Sequence, residues 1–378
     1  MHIGVISNEQ SAIPSERKRT KALFLAAVFA VLVATLWPFD FFAQNGVTWL
    51  HGTRGLSFEN HGVVVSNGYV KPEGQGTDSY SLEFLVQPAN WNAAPILAFY
   101  NGRPACFIVG QRGEHLIVTH DAAIQSDTPQ RIDFYADHIF RPGKLALVTI
   151  SSGPYGTTVY LDGETASSFP RFKLSRSDLS GQIVLGTSPT MYEPWVGELQ
   201  GLAIYSKELT AQDALRHYRE WTDPSGVHES DGVIARYRFA ETEGREVRDD
   251  VASGPGLEIP AFFSVPHKAM LRSLTKEFHP NRKYAKDVLE NIGGFVPLGL
   301  IACAYFSWTR SHWKAIVSST IACGSLSLVI EVLQYYIPRR FSGTTDILTN
   351  TLGAAVGAAL IQADVVRRAL KDINLIRE

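Results

Sequence analysis

Cysteine and methionine are scarce in this chain, three of each in 378 residues. Three cysteines build no disulfide framework. Cys106 is the lone cysteine of the middle region, so that region must be stable without an internal disulfide. Cys303 and Cys323 lie in apolar runs and read as small buried residues. Net charge is nearly absent too: 35 Lys and Arg against 37 Asp and Glu leave −2. Such a balance offers no electrostatic footprint for nucleic acid. There is no clustered acidic loop of the kind calcium requires, so no metal ligand and no cofactor is expected.

Hydrophobic residues make up 45% of the chain, but they concentrate at its two ends. Four apolar runs stand out, at 22–39, 292–308, 315–337 and 347–363. Each approaches the roughly 20 residues a helix needs to cross a bilayer, although the second and fourth are short and rich in glycine. Arg17, Lys18, Arg19 and Lys21 precede the first run. Arg310, His312 and Lys314 fill the link between the second and third, and Arg367, Arg368 and Lys371 follow the fourth. With four crossings, basic flanks place all three groups, and the N-terminus, on the cytoplasmic side. Lys268, Arg272, Lys276, Arg282, Lys283 and Lys286 argue the other way, since they fall on the outer side of that arrangement. The first run is read as an uncleaved anchor, because Trp37, Pro38, Phe39, Phe41 and Phe42 stand where a signal peptidase needs small residues.

Residues 47–265 have a different texture. Segments 81–86, 96–100, 115–119, 145–150 and 158–161 alternate apolar and polar positions and are rich in β-branched and aromatic residues. Turn residues separate them at regular intervals, which points to a β-sandwich. Asp162-Gly163 reads as a tight hairpin turn. These residues resemble the LamG-like, concanavalin A-type jelly roll. The likeness rests on 143–163, on 183–186 with 195–205, and on a short helix expected over 206–218 that starts near Leu209-Thr210. Segment 232–260 resembles one that usually opens such domains, but here it comes last. The resemblance implies a sandwich that recognises glycans or proteins. The Glu-x-Asp-x-x-Glu motif of the glucanase branch is missing, and Asp78, Asp133, Asp162 and Glu198 are scattered over turns. Trp91, Tyr100, Tyr155, Tyr192 and Trp195 are the aromatic candidates for stacking on a sugar, most of them expected in the core.

The C-terminal third carries polar residues that a bilayer disfavours. Glu331 and Gln334, three apart, share a helix face. Asp346, Asn350, Gly353 and Gly357 form one stripe, its glycines spaced for close helix approach. A carboxylate at a membrane-helix centre costs roughly 2.5–3.5 kcal/mol on insertion scales, so such a residue marks a site by default. Asp287, Leu289, Asn291 and Gly294 repeat the spacing of Asp346, Leu348, Asn350 and Gly353. That repetition is read as two parallel copies of a helical hairpin. Residues 291–299, Asn-Ile-Gly-Gly-Phe-Val-Pro-Leu-Gly, resemble the N-x-x-G-F-x-P-L-G signature of VanZ-like membrane proteins. Glu331, Gln334, the basic pair Arg339 and Arg340, and Asp346 to Gly357 follow that family's later motifs in order. The resemblance implies a role in the cell envelope.

The expected architecture is therefore multi-domain: a four-helix transmembrane bundle, all-α, with an inserted all-β jelly-roll sandwich. It divides into a cytoplasmic tail (1–21), a first transmembrane helix (22–39), an extracytoplasmic sandwich (47–265), a juxtamembrane linker (266–290), transmembrane helices two to four (291–363) and a cytoplasmic tail (364–378). The expected site is an outward-facing polar pocket of Asn291, Glu331, Gln334, Arg339, Arg340, Asp346 and Asn350. It would bind an anionic envelope lipid or lipid-linked precursor, with the arginines on phosphate and the helix N-termini aimed at it. Gly294, Pro297, Gly299, Gly353 and Gly357 are expected in helix packing. No residue is nominated as catalytic. A membrane enzyme acting on such a lipid, and a non-catalytic assembly or anchoring factor, stand as alternatives.

Overall fold

The computed structural model describes residues 6–72, 79–101, 106–121, 132–188, 194–223, 231–266, 268–278, 280–338 and 340–376. Asp78, Tyr192 and Arg339 lie outside the described residues. The chain forms two compact units, one of Phe42–Lys268 and one of Met1–Phe41 with Ala269–Glu378.

The first unit is a sandwich of two antiparallel sheets. Its strands are β1 (Val47–Trp49), β2 (Leu56–Phe58), β3 (Val64–Ser66), β4 (Tyr80–Pro88), β5 (Ala93–Tyr100) and β6 (Cys106–Arg112). They continue as β7 (His115–Asp121), β8 (Ile132–Ala136), β9 (Ala146–Gly153), β10 (Gly156–Leu161) and β11 (Glu164–Phe169). The last are β12 (Gln182–Leu185), β13 (Gly197–Tyr205), β14 (Val233–Tyr237), β15 (Glu246–Val247) and β16 (Leu257–Glu258). Sheet one runs β1-β2-β13-β4-β9-β10-β11, with β14 also paired to β13. Sheet two runs β15-β16-β3-β12-β5-β6-β7-β8. The late segment 232–260 thus supplies strands to both sheets. Asp162 and Gly163 turn the β10–β11 hairpin with φ of 53° and 83°, the paired positive values that a two-residue turn of this type needs.

Alternation fills the space between the sheets. Leu82, Phe84 and Val86 of β4 join Phe58, Ile96, Val148 and Trp195 in the central core. Two further layers bury the outer faces. Ala43, Phe263 and Val265 cover Ala98, Ile108 and Val184 of sheet two, which is why the unit reaches beyond the expected 47–265. On sheet one, helix α2 (Ala211–Thr222) lays Ala214, His217 and Trp221 inward. Thr210 caps this helix reciprocally with Asp213, at the start expected from the sequence. Gly201 makes room for the helix: a Cβ there would fall 2.3 Å from the Trp221 ring.

Between α2 and sheet one sits Glu83, fully buried. It accepts hydrogen bonds from Thr149 Oγ1 (3.0 Å), Tyr205 OH (2.8 Å) and Trp221 Nε1 (3.2 Å), and lies 3.0 Å from His217 Nδ1. A buried carboxylate is tolerable only with such partners. Burial opposes charge on His217, but the hydrogen bond and charge of Glu83 outweigh it and raise its pKa above the ordinary 6.5. A pKa raised by folding adds stability that is complete below the unfolded value and is lost as pH climbs through the folded one. Denaturant unfolding followed by tryptophan fluorescence should therefore show the sandwich weakening above pH 6.5. His217→Gln should flatten that dependence. Glu83→Ala should cost about 3–5 kcal/mol, the usual loss when one partner of a buried pair is removed.

The second unit is helical: α1 (Ile6–Leu36), α3 (Leu274–Glu277), α4 (Arg282–Ser307), α5 (His312–Tyr335), α6 (Thr344–Ala359) and α7 (Asp364–Asp372). Among the described residues, three helices are long and apolar enough to cross a membrane: Ser15–Leu36, Arg282–Ser307 and His312–Tyr335. The fourth, α6, has 16 residues, about 24 Å at 1.5 Å per residue, and a 3-10 turn over Leu360–Gln362 extends it. Two expected segments are absorbed into helices. Residues 6–21 belong to α1, and α4 begins at Arg282, inside the expected linker 266–290. Lysine, arginine and glutamate favour helix, so charged flanks prolong a span instead of ending it.

Helices α4 and α6 lie parallel and very close, and glycine makes this geometry possible. A Cβ on Gly353 would fall 2.3 Å from Ile292 O, one on Gly357 1.9 Å from Val296 O, and one on Gly299 2.1 Å from Ala354 O. Backbone meets backbone at all three. Gly294 has nothing within 4 Å of that position, and it and Pro297 are exposed on this unit. Their expected packing role is corrected: they lie on the face of α4 turned away from α6. Gly357→Ala should destabilise the detergent-solubilised protein by about 1–3 kcal/mol through overpacking. Gly294→Ala should be neutral or stabilising by up to about 1 kcal/mol. Thermal unfolding of the two variants side by side tests the contrast.

Candidate functional site

One end of the helical unit gathers most of the polar residues singled out in the sequence. Helix α6 begins there at Gly343, its N-cap, which has no side chain to offer its own first amides. An unmet amide in a buried helix start is costly. The partners come from elsewhere in the chain. Gly343 N–H donates to Glu331 Oε2 at 2.7 Å, and Thr345 N–H and Oγ1 donate to Glu277 Oε2 at 2.8 and 2.6 Å. Glu331 stands in the last turns of α5 and is 2% exposed. Glu277 closes the short helix α3.

The juxtamembrane chain reinforces this cap. Arg272 N–H donates to Ser342 O and Thr344 N–H to Arg272 O, each at 3.0 Å, a parallel bridge between 272 and 343. The Arg272 guanidinium lies 4.4 Å from the Phe341 ring centre, and Arg272 is buried.

Inside the first turn of α6, Asp346 Oδ1 accepts from Asn291 Nδ2 of α4 at 2.7 Å. One turn deeper, Asn350 donates from Nδ2 to Ser327 Oγ at 2.9 Å, while its buried Oδ1 has no partner among the described residues. Gln334 Nε2 donates to Thr35 O of α1 at 2.9 Å. The structure therefore brings Asn291, Glu331, Asp346 and Asn350 together from three helices, and uses Gln334 to tie α1 to α5.

Of the expected basic pair, Arg339 lies outside the described residues and Arg340 stands apart from the buried carboxylates. Glu331 is held by the Gly343 amide. Arg340 is exposed and donates from Nη2 to Trp37 O at 3.2 Å. The positive end of α6, expected to face a phosphate, is already met by Glu331 and Glu277. The cluster is rich in acceptors, which suits a hydrogen-bond donor or a cation better than an anion. Among the described residues no group of three His, Cys, Asp or Glu is placed to hold a metal ion.

Sequence reasoning missed Glu277 and Arg272, counted only as linker and as basic flank. It also paired Asp287 with Asp346 as repeat equivalents. Both helices run the same way, but Asp346 is partly buried in the first turn of α6, whereas Asp287 is exposed in the second turn of α4.

On the sandwich, Trp195 is fully buried, Tyr100 half-buried, Trp91 58% exposed and Tyr155 91% exposed. Among the described members of that aromatic set, the last two remain open to a ligand.

Two family models match the chain. One, described as VanZ/LLP1, covers residues 245–367. The other, described as the concanavalin A-like lectin/glucanases superfamily, covers residues 61–214. No curated protein matches at a significant level. Solved structures resemble the sandwich distantly. A protein from Bacteroides ovatus described as a candidate carbohydrate-binding protein shares 15% identity over 55% of this chain, at a TM-score of 0.36. The chain spans 62% of that protein's length. A heptameric SAP-like pentraxin from Limulus polyphemus shares 12% identity over 59% of this chain and 96% of its own, at a TM-score of 0.34. The CBM40 of a Ruminococcus gnavus IT-sialidase, solved with α2,3-sialyllactose, shares 11% over 44% and 97%, at 0.33. Together, a sandwich matched by the concanavalin A-like model, a helical segment matched by the VanZ/LLP1 model and apolar helices long enough to span a bilayer point to a membrane protein of this two-part architecture.

Proposed function

We propose that this protein binds or carries an envelope lipid or lipid-linked precursor through its helical unit, and recognises a glycan or protein through its sandwich. The observation that carries the reading is the partly buried cluster of Asn291, Glu331, Asp346 and Asn350, set between helices that also pack through an apolar core. Polar and ionisable groups in such surroundings are expensive, and they are kept where they serve a ligand or its path. We place the cluster toward the outer face, with the N-terminus cytoplasmic.

The chemistry of the cluster refines the ligand. Its acceptors favour the donor-bearing part of a head group, a sugar hydroxyl or an ammonium. A phosphate on the same molecule would be met by Arg340, Lys283 or Lys286, which begin or border the helices at this end. Arg340 retains a bidentate fork suited to that purpose.

Native mass spectrometry of the full chain, released from detergent, tests this directly. The wild type should retain a lipid of discrete mass. Glu331→Gln and Asp346→Asn should each reduce its occupancy about tenfold, a loss near 1.4 kcal/mol, and Arg340→Ala should weaken retention of phosphate-bearing lipids selectively. A wild type that retains no lipid, or variants that retain it equally, would overturn the reading.

A further inference from the structure

The outer face of sheet two has two halves. Ile108, Gly110 and Arg112 point the same way along β6. At Ile108 the face is covered, since that residue packs with Ala43, Phe263 and Val265. At Arg112 it is open. There exposed Tyr135 pairs with Ile117 and Ile117 with Gly110 across β8, β7 and β6, the latter two buried, and exposed Arg112 stands beside half-buried His115 in the next row. Arg112 Nη1 donates to Tyr135 OH at 2.9 Å. The His115 ring meets Tyr135 edge-on at 6.4 Å. His115 Nδ1 lies 2.8 Å from Asp137 Oδ1, close enough for an ion pair but off the geometry of a hydrogen bond. Tyr135 is 42% exposed.

The loops around this patch are locked. Gln111, fully buried, donates from Nε2 to Asn90 O (2.7 Å) and Gly113 O (3.0 Å), and accepts from Trp195 Nε1 (3.0 Å). Gly113 N–H donates to Asn92 O at 3.2 Å. Trp91, between Asn90 and Asn92, is thus held out on a fixed turn. On the other side, the amides of Ile139 and Phe140 donate to Glu114 O, and His138 Nδ1 lies 2.9 Å from Glu114 Oε2.

We propose that this end of sheet two is a binding site for an uncharged oligosaccharide; the proposal deepens the glycan role given to the sandwich above and rests on it. Three features favour that ligand. Tyr135 and Trp91 offer partly exposed rings that can lie against the C–H faces of a sugar while a polar edge stays free to hydrogen-bond. Donors (Arg112 and His115, paired across β6 and β7) stand beside an acceptor (Asp137, just past β8 and 2.8 Å from His115), the mixture that sugar hydroxyls answer and that a purely anionic ligand does not. Finally, the locked turns hold the groups in place before binding, so little ordering is lost when the ligand arrives.

Titration of the full-length, detergent-solubilised protein with chitotetraose, cellotetraose and maltotetraose, against tetragalacturonate as the acidic comparison, tests the site. Calorimetry should register saturable binding of at least one neutral oligosaccharide. Tyr135→Ala and Arg112→Ala should each weaken it about tenfold or more. Glu164→Ala, exposed on β11 of the other sheet, should bind as the wild type does, and near-UV circular dichroism should confirm that each variant keeps its fold. The proposal fails if none of the neutral oligosaccharides binds, if tetragalacturonate binds more tightly, or if folded Tyr135→Ala binds unchanged. These outcomes are separable from those of the lipid experiment, which reads the helical unit alone.

Discussion

The first turn of α6 is the point on which the helical unit depends. A helix that starts among apolar neighbours leaves its first amides without water and without partners in its own sequence. Here two carboxylates from distant parts of the chain supply the acceptors: Glu331 from α5 and Glu277 from α3. Gly343 fits between them because a Cβ there would fall 1.8 Å from Glu277 Oε1. Carboxylates at a helix N-terminus also meet its positive dipole. One local need thus fixes the end of α5, the juxtamembrane chain and the start of α6 against each other. It also consumes the anion-attracting capacity that an isolated helix start would offer.

Two surfaces with different chemistry follow from the two units. The helical cluster is partly buried and rich in acceptors, and it is assembled by packing: glycines let α4 and α6 approach until Asn291 reaches Asp346. The sandwich patch is exposed, mixed in donors and acceptors, and assembled by loop hydrogen bonds through Gln111 and Glu114. Neither depends on a disulfide, and Cys303 and Cys323 are free and buried. Near-neutral net charge matches this division, since neither surface works by a long-range field.

Much of the fold was legible from local pattern. Period-2 segments became strands, Asp162-Gly163 became a turn, and Thr210 became a cap, because each of these is decided by residues next to each other. The site was legible where a motif fixed residue types: Asn291, Glu331, Asp346 and Asn350 do converge. It was not legible where partners are remote. Glu277 reaches Thr345 across 68 positions, and no periodicity announces that. Gln111, Arg112 and Tyr135 escaped notice for a related reason. In sequence they are scattered polar members of strands, and only the register of β6, β7 and β8 brings Arg112 and Tyr135 together.

The apparent repeat between the segments starting at Asp287 and Asp346 shows how far spacing can carry an argument. Equal spacing fixes which residues share a face of a helix, but neighbours decide what that face does. Helix α6 packs against both α4 and α5, so Asp346, Asn350, Gly353 and Gly357 all find protein around them. Helix α4 turns Gly299 toward α6 and leaves Gly294 open. Two adjacent parallel helices with the same motif cannot both present that motif to each other unless a two-fold axis relates them, and an axis of that kind running along parallel helices would require Gly294 to meet α6 as Gly353 meets α4. It does not. The second copy therefore carries the buried chemistry, and Asn291, from the first, serves as its donor.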